Sequence, residues 1–278
     1  MLRCIVLMVL VFLPVLNPLV AQTDSSRFSY FPNDILFVPF LANHEEPRMG
    51  MQQELGSSRL TVGVGNMLDL VQYATDHDTL RLGAEFFTYS LANDFKDIRL
   101  KIDAADGFFG VRFTYTNGSP WSFRFRAIHL SAHLVDGHYD PDAKQWKDGR
   151  EPLPFSRNYG ELAAAYTGSV GNFPVRLYAG VSQAVFVKPE DIRRAAGLLG
   201  VEVRTHGSVP FYLAYNFTLL GVPRHNGSNT IETGIKLGPW SGRGARLFVL
   251  YYNGLDIFGE YYKDRREMIS IGFAFDFW

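Results

Sequence analysis

The sequence has very little cysteine and no long apolar run beyond its start. Cys4 is the only cysteine among 278 residues, so the rest of the chain has no thiol. Disulfides, cysteine-ligated metals and thiol nucleophiles are therefore excluded from that part. No stretch after residue 21 reaches the roughly 20 apolar residues that a membrane-spanning helix needs. If the chain enters a membrane, we expect a closed barrel, because only that arrangement leaves no backbone group unpaired in lipid.

Charge is also scarce, and it is balanced. Charged residues make up 20% of the chain, the formal net charge is -1 and the pI is near 6.7. This composition argues against a nucleic-acid partner, which would favour a basic patch. The sequence contains neither a glycine-rich nucleotide loop nor a His-x-x-x-His zinc spacing on a helix, so we predict no cofactor and no metal site.

The start of the chain indicates export. It reads "MLRCIVLMVLVFLPVLNPLVAQTDSS", in which Arg3 precedes an apolar run that ends near Ala21 and polar residues follow. This pattern predicts a secretory signal peptide over residues 1–21. A membrane anchor helix is the alternative, but two prolines and an asparagine interrupt the run.

Alternation with a period of two dominates the remainder. In "NTIETGIKLG", residues 229–238, apolar and polar side chains alternate, and the segments "PFYLAYNFTLL", "VRLYAGVSQAVFV" and "MISIGFAFDF" repeat the pattern. Each segment is therefore predicted to be a strand with one apolar and one polar face. A soluble β-sandwich also alternates, so strand length and connections must separate the two folds.

Both features favour a membrane barrel. We predict about twelve strands, an even number as in bacterial single-chain barrels, near 48–55, 58–74, 79–91, 107–117, 120–135, 156–169, 173–187, 196–206, 209–219, 229–238, 244–253 and 266–278. Tight turns alternate with longer polar loops, as in outer-membrane barrels. The predicted fold is an all-β, single antiparallel transmembrane barrel over residues 48–278 in the cell outer membrane. Residues 22–47 would precede it as a periplasmic segment or a plug.

The last strand carries a more specific signal. The end "ISIGFAFDFW" is similar to the terminal strands of outer-membrane proteins, which the barrel-insertion machinery reads, although Trp278 puts the pattern one residue out of phase. The expected partners are therefore outer-membrane lipids and that machinery.

Four stretches resemble a bacterial family, the domain of unknown function 1207. They are "FPNDILFVPFLANHEEPR", "FRFRAIHLSAHLVDGHY", "FSRNYGELAAAY" and "LFVLYYNGLDIFGEYY". They keep the family's order, and the resemblance covers the chain from about Phe31 to Phe277. The family's motif has a second serine and an acidic pair where this chain has Ala132 and "VDGHY". The resemblance implies a bacterial outer-membrane protein and leaves its activity open.

The stretch "AIHLSAHL", residues 127–134, holds a possible nucleophile and base. His129, Ser131 and His133 share one face, and the apolar residues between them share the other. If the apolar face meets lipid, the three polar side chains line the lumen, because unpaired polar groups in lipid cost several kcal/mol. A His-x-Ser pair on a barrel strand is similar to the dyad of outer-membrane phospholipase A and of lipid A deacylases, which display it outward.

A third member of such a site is not evident from the sequence. Asn158 in "SRNY" resembles the third member of the phospholipase site, while Asp140 and Asp142 lie in a loop. Alternation puts Asn158 opposite Glu161, and hence not obviously together with His129. A lipid hydrolase using Ser131, His129 and Asn158 is therefore the alternative function.

The first function expected is a narrow pore for small solutes, or a structural or binding barrel of the envelope. The alternation of side chains along the strands predicts that a further set of charged residues points into the lumen. There acidic and basic side chains can pair and fill a narrow barrel. These residues are Glu161, Arg176, Glu202, Arg204, Glu232, Lys236 and Arg246.

Overall fold

The computed structural model describes residues 27–93, 100–222 and 224–277. The strands are β1 (Arg27–Tyr30), β2 (Met49–Glu54), β3 (Arg59–Ala74), β4 (Thr79–Asn93), β5 (Ile102–Thr116), β6 (Trp121–Leu134), β7 (Tyr139–Asp140), β8 (Gln145–Trp146), β9 (Phe155–Val170), β10 (Phe173–Lys188), β11 (Ala195–Arg204), β12 (Phe211–Gly221), β13 (His225–Leu237), β14 (Gly244–Leu255) and β15 (Arg265–Asp276). Short 3-10 helices cover Asp136–His138, Lys147–Gly149 and Gly259–Tyr261. Among the described residues, no helix has the length and apolarity to cross a membrane.

Twelve strands, β2 to β6 and β9 to β15, close into an antiparallel barrel. The ring closes because β2 pairs with both β15 and β3, while β3 also pairs with β4. Closure removes the free sheet edges that lipid would not tolerate. The predicted all-β fold and its twelve antiparallel barrel strands are confirmed.

Strand β5 begins at Ile102, earlier than the sequence predicts. The extra residues were expected in a loop and include two aspartates, but both aspartates are buried and have partners. Asp103 Oδ1 lies 2.8 Å from His138 Nδ1, and Asp106 Oδ2 accepts a hydrogen bond of 2.9 Å from the Gly259 amide. Partners supplied by distant loops therefore extend a strand whose local sequence indicates a loop.

The two ends of the barrel differ in their connections. At one end, which we call the turn end, the connections are short: 75–78, 117–120, 171–172, 205–210 and 238–243. At the opposite end, the loop end, the connections include 135–154, 189–194 and 256–264. The outer wall between the two ends is covered by exposed apolar side chains, among them Leu177, Val181, Phe211, Leu213, Phe273 and Phe275.

The N-terminal region enters the lumen before the first barrel strand. The predicted signal peptide, residues 1–21, lies outside the described residues. β1 pairs with the turn-end part of β3, and the chain then passes inside, where Phe37 and Phe40 are each 1% exposed. The Phe40 ring stacks on Tyr178 of the wall, with ring centroids 3.8 Å apart. Most of the described part of the 22–47 segment thus packs against the inner face.

Buried ion pairs fasten this segment to β6 and β9. Glu46 lies 2.8 and 2.5 Å from two guanidinium nitrogens of Arg124. Arg124 and Arg126 each lie 2.9 Å from a carboxylate oxygen of Glu161. All four side chains are 2% exposed or less. A charge buried in this way is tolerated only when it is paired and hydrogen-bonded, so the four groups depend on one another.

Toward the loop end the lumen holds a large apolar cluster. The loop 256–264 folds into the barrel and packs Phe258 near Leu130 of the inner wall, within one buried apolar cluster. Gly259 approaches β6 so closely that a Cβ there would lie 2.6 Å from the Ala132 Cβ. This loop supplies the core against which β6 must present apolar side chains.

The apolar interior reverses the predicted orientation of β6. The even-numbered residues over 128–134 are buried inside, and the odd-numbered ones lie on the outer face: His129, Ser131 and His133. The prediction that these three side chains line the lumen is wrong. It assumed a lumen that is polar along its whole length, whereas the inward loop builds an apolar cluster into the loop-end half.

We expect Glu46→Ala to lower the free energy of unfolding by about 3–5 kcal/mol, because two buried guanidinium groups lose a partner. Asp34→Ala is the matched control, since Asp34 also pairs with an arginine of the wall, Arg81, but its side chain is 68% exposed. The control should change stability by less than about 1 kcal/mol. Urea unfolding of the refolded barrel in detergent measures both. Equal losses would contradict the buried network.

Single cysteines can test which way β6 faces, because Cys4 is the only native cysteine. In a variant with Cys4 removed, a membrane-permeant maleimide should label Ser131→Cys and leave Ala132→Cys unlabelled until the barrel is unfolded. On β9 the exposed Leu162 and the buried Ala163 provide a matched pair, also as cysteine variants. Labelling at 132 but not at 131, with normal behaviour of the β9 pair, would refute the outward orientation.

Candidate active site

Three polar side chains lie in neighbouring positions on the outer wall near the loop end. β6 lies between β5 and β9, and the register puts His129 opposite Asn158. Ser131 lies opposite Ser156 on β9 and opposite Gly107 on β5. His129 and Ser131 are two residues apart on one strand and therefore share its face. Asn158 lies on the outer face as well, so the residue that the sequence did not bring together with His129 does converge with it.

The imidazole of His129 is held in one orientation. Its Nδ1 lies 2.5 Å from Asn158 Oδ1. Because an amide oxygen only accepts, Nδ1 donates the proton, and in the neutral ring this leaves the lone pair on Nε2. The ring of Phe109 also lies against the imidazole, with centroids 4.6 Å apart. A neutral imidazole fixed in this tautomer has the form that a general base requires.

Ser131 stands next to His129 along the strand. Alternate residues of a strand are about 7 Å apart at their Cα atoms, a distance that a histidine and a serine side chain can span. Among the described residues, no side chain hydrogen-bonds to Ser131, so its hydroxyl is available to the His129 Nε2. A Cβ built on Gly107 would lie 3.9 Å from the Ser131 Oγ, so a group the size of a methyl fits beside the hydroxyl.

The site lies where the composition of the outer wall changes. Toward the turn end, the side chains that point outward on these strands are apolar: Phe113, Phe125, Leu162 and Val181. Toward the loop end the outward side chains are small or polar: Ser90, Ala105, His133 and Lys188. Ser131 is therefore at the boundary between an apolar and a polar band.

The charged residues predicted for the lumen lie on the inner side of their strands. Glu232 is 2.5 Å from Arg48 and 3.0 Å from Arg246, and Lys236 is 2.9 Å from Asp276. These pairs link the wall to itself and to the N-terminal segment. These ion pairs occupy the interior of the barrel and leave little room for a channel beside them.

A cavity of about 260 Å³ remains at the turn end. It is lined by Arg176, Glu202 and Arg204, and Trp240 lies 5.1 Å from the Arg204 guanidinium. Arg176 donates a hydrogen bond of 2.9 Å to the Val38 carbonyl of the N-terminal segment. Within the described ranges, no three side chains of His, Asp or Glu are grouped as ligands of one metal ion.

The sequence analysis missed the two arginines that fix β6. They stand in "FRFR", residues 123–126, where phenylalanine and arginine alternate. Phe123 and Phe125 are exposed on the outer wall, and Arg124 and Arg126 are fully buried. Side chains of a strand alternate between its two faces. Because Phe123 and Phe125 point outward, His129, which is four residues after Phe125, points outward as well.

Comparison with solved structures places the fold among outer-membrane barrels. Outer membrane phospholipase A from Escherichia coli superimposes with a TM-score of 0.50 at 12% identity, over 86% of this chain and 93% of that one. The β domain of the Bordetella autotransporter Brka gives 0.44 at 11% identity, over 81% and 95%. An anion-selective porin from Comamonas acidovorans gives 0.34 at 11% identity, over 81% and 87%. At such identities the likeness concerns the fold alone.

No curated protein matches the chain. The family described as "Protein of unknown function (DUF1207)" matches residues 67–277. The match takes in all or part of every barrel strand from β3 to β15, including the strands that carry the candidate site. The chain therefore belongs to the DUF1207 family.

Proposed function

We propose that this protein hydrolyses an acyl ester of a membrane lipid on the outer wall of its barrel, in the bacterial outer membrane. The short turns would face the periplasm and the long loops the outside, as is usual for such barrels. The observation that carries the proposal is the 2.5 Å contact between His129 and Asn158 beside an outward-facing Ser131. The nucleophile Ser131, the base His129 and the orienting group Asn158 then lie next to one another on a lipid-facing surface.

In this reaction the Ser131 Oγ attacks the carbonyl carbon of the ester and its proton passes to the His129 Nε2. The C=O π pair moves to the carbonyl oxygen, which gives a tetrahedral oxyanion. Collapse of the oxyanion expels the alcohol part of the lipid, which takes the proton from His129, and leaves an acyl-serine. A water molecule activated by the same imidazole then releases the fatty acid. Asn158 holds the ring and stabilises the imidazolium, as the third member of a triad does.

The depth of the site supports a lipid ester as the substrate. In a bilayer the ester groups lie between the hydrocarbon chains and the polar headgroups, and Ser131 lies at the matching boundary of the wall. The apolar band below it, with Phe125 42% exposed and Leu162 57% exposed, offers a surface for acyl chains. The polar band above it suits headgroups and interfacial water.

The first function that the sequence favours, a narrow pore or a structural or binding barrel, has less support. The N-terminal segment and the ion pairs occupy the interior, so a continuous path could admit only small solutes. The cavity of about 260 Å³ beside Arg176 and Glu202 is the observation that keeps a solute-binding or pore role as the second candidate. Outward Phe273 and Phe275 on β15 support the further proposal that the insertion machinery recognises the last strand.

Purified barrel reconstituted with phosphatidylethanolamine or with lipid A should release free fatty acid. We expect Ser131→Ala to abolish the release and His129→Ala to slow it by about 10²–10⁴-fold, the usual contribution of a general base. Asn158→Ala should also be slow, because the ring loses its orienting hydrogen bond. Mass-spectrometric quantification of fatty acid and lyso-lipid measures each variant.

His133→Ala is the matched control for His129→Ala. His133 lies on the same outer face of the same strand but has no hydrogen bond to Asn158, so this variant should keep most of the activity. Fatty acid release that persists unchanged in Ser131→Ala would refute the proposed nucleophile. Absence of release from both lipids by the folded wild-type barrel would refute lipid hydrolysis.

Planar-bilayer recording addresses the second candidate. Because the segment fills the lumen, we expect wild-type protein to show no steady single-channel steps above those of protein-free membranes. Stable steps whose size changes in Arg176→Ala or Glu202→Ala, with no hydrolysis in the lipid assay, would favour the pore.

A further inference from the structure

An ester hydrolase on this wall needs a hydrogen-bond donor for the oxyanion, and the backbone cannot supply one. β6 is paired without a break on both sides of Ser131, to β5 from Ser122 to Leu134 and to β9 from Trp121 to Ala132. The amides around Ser131 are thus used by the two ladders. The donor must be a side chain, because charge that develops in the transition state is stabilised by pre-placed donors.

Ser156 is the hydroxyl that the fold places for this task. It is the register partner of Ser131 on β9, and it alternates with Asn158 on the same outer face. Its side chain is half-buried and hydrogen-bonds to no other side chain among the described residues. We infer that the Ser156 hydroxyl donates to the oxyanion formed at Ser131, an inference that rests on the proposed hydrolysis.

The other neighbours of Ser131 are less suited. Gly107, on the opposite flank, has no side chain, and Thr88 lies one strand further away. His133 is an alternate residue of the same strand, about 7 Å away along the backbone. Directly opposite residues on antiparallel strands have Cβ atoms only about 4.5–5.5 Å apart. Distance therefore favours Ser156 over His133.

These neighbours also orient the substrate. With the carbonyl oxygen toward Ser156, the remainder of the ester extends over Gly107, where the nearest atoms to an added Cβ are 3.9 Å away. The Ser131 Oγ attacks the carbonyl carbon while His129 takes its proton. The Ser156 O–H stays intact and donates a hydrogen bond to the new oxyanion, then releases it when the C=O bond re-forms.

The test compares Ser156→Ala, Ser156→Thr and the control Thr88→Ala in the reconstituted lipid assay, with kcat and KM measured separately. Loss of one oxyanion donor should lower kcat by about 10²-fold and leave KM nearly unchanged. Ser156→Thr keeps a hydroxyl and should recover most of the rate, and Thr88→Ala should match wild type. A long-chain fluorophosphonate, followed by peptide mass spectrometry, identifies the nucleophile in each variant.

The outcomes separate this inference from the proposed function. If wild-type protein neither hydrolyses lipid nor is phosphonylated, both proposals fall. If Ser131 is phosphonylated and lipid is hydrolysed, but Ser156→Ala keeps kcat within about threefold of wild type, only the role of Ser156 is refuted. Phosphonylation of Ser156 in place of Ser131 would also overturn it. A kcat loss in Ser156→Ala that Ser156→Thr restores, with the label on Ser131, supports it.

Discussion

Arg124 and Arg126 are bound inside the barrel to Glu46 and Glu161, and the orientation of the whole of β6 depends on these contacts. A strand has only two faces, so fixing the side of two residues fixes the side of all the others. An outward turn of β6 would expose both guanidinium groups to lipid, at a cost of several kcal/mol each. His129 and Ser131 face the membrane for that reason.

The interior is divided between two kinds of filling. Toward the turn end, ion pairs join the wall to the N-terminal segment, and toward the loop end, the inward loop around Phe258 forms an apolar core. Both fillings stiffen the barrel, because packed interiors and paired charges have few alternative arrangements. A site built on paired strands of such a wall is held in place more firmly than one built on loops.

The fold was more predictable from the sequence than the site was. Strands follow from period-two alternation, which is a local property, so twelve strands could be counted one by one. The eight residues of "AIHLSAHL" do not by themselves determine which set of side chains points into the lumen. Either the polar set or the apolar set could do so, because the polarity of the lumen cannot be read from this stretch. The deciding information lay in the preceding "FRFR" and in Gly259, more than a hundred residues away. Likewise, the convergence of Asn158 with His129 follows from the register between β6 and β9, which no local pattern specifies.

A position at the boundary between the two bands of the wall would meet two opposing needs of the proposed acyl transfer. Hydrogen bonds and charges act more strongly where water is scarce, so the contact between His129 and Asn158 gains from the apolar surface and from the Phe109 ring beside it. Release of the acyl group nevertheless requires a water molecule at Ser131. A site deeper in the apolar band would lack that water, and one further into the polar band would lose the acyl chains. Ser131 is two residues closer to the loop end than His129 and lies beside the first polar residues of the wall. At this position the proposed attack on the ester and the later hydrolysis of the acyl-serine can both occur.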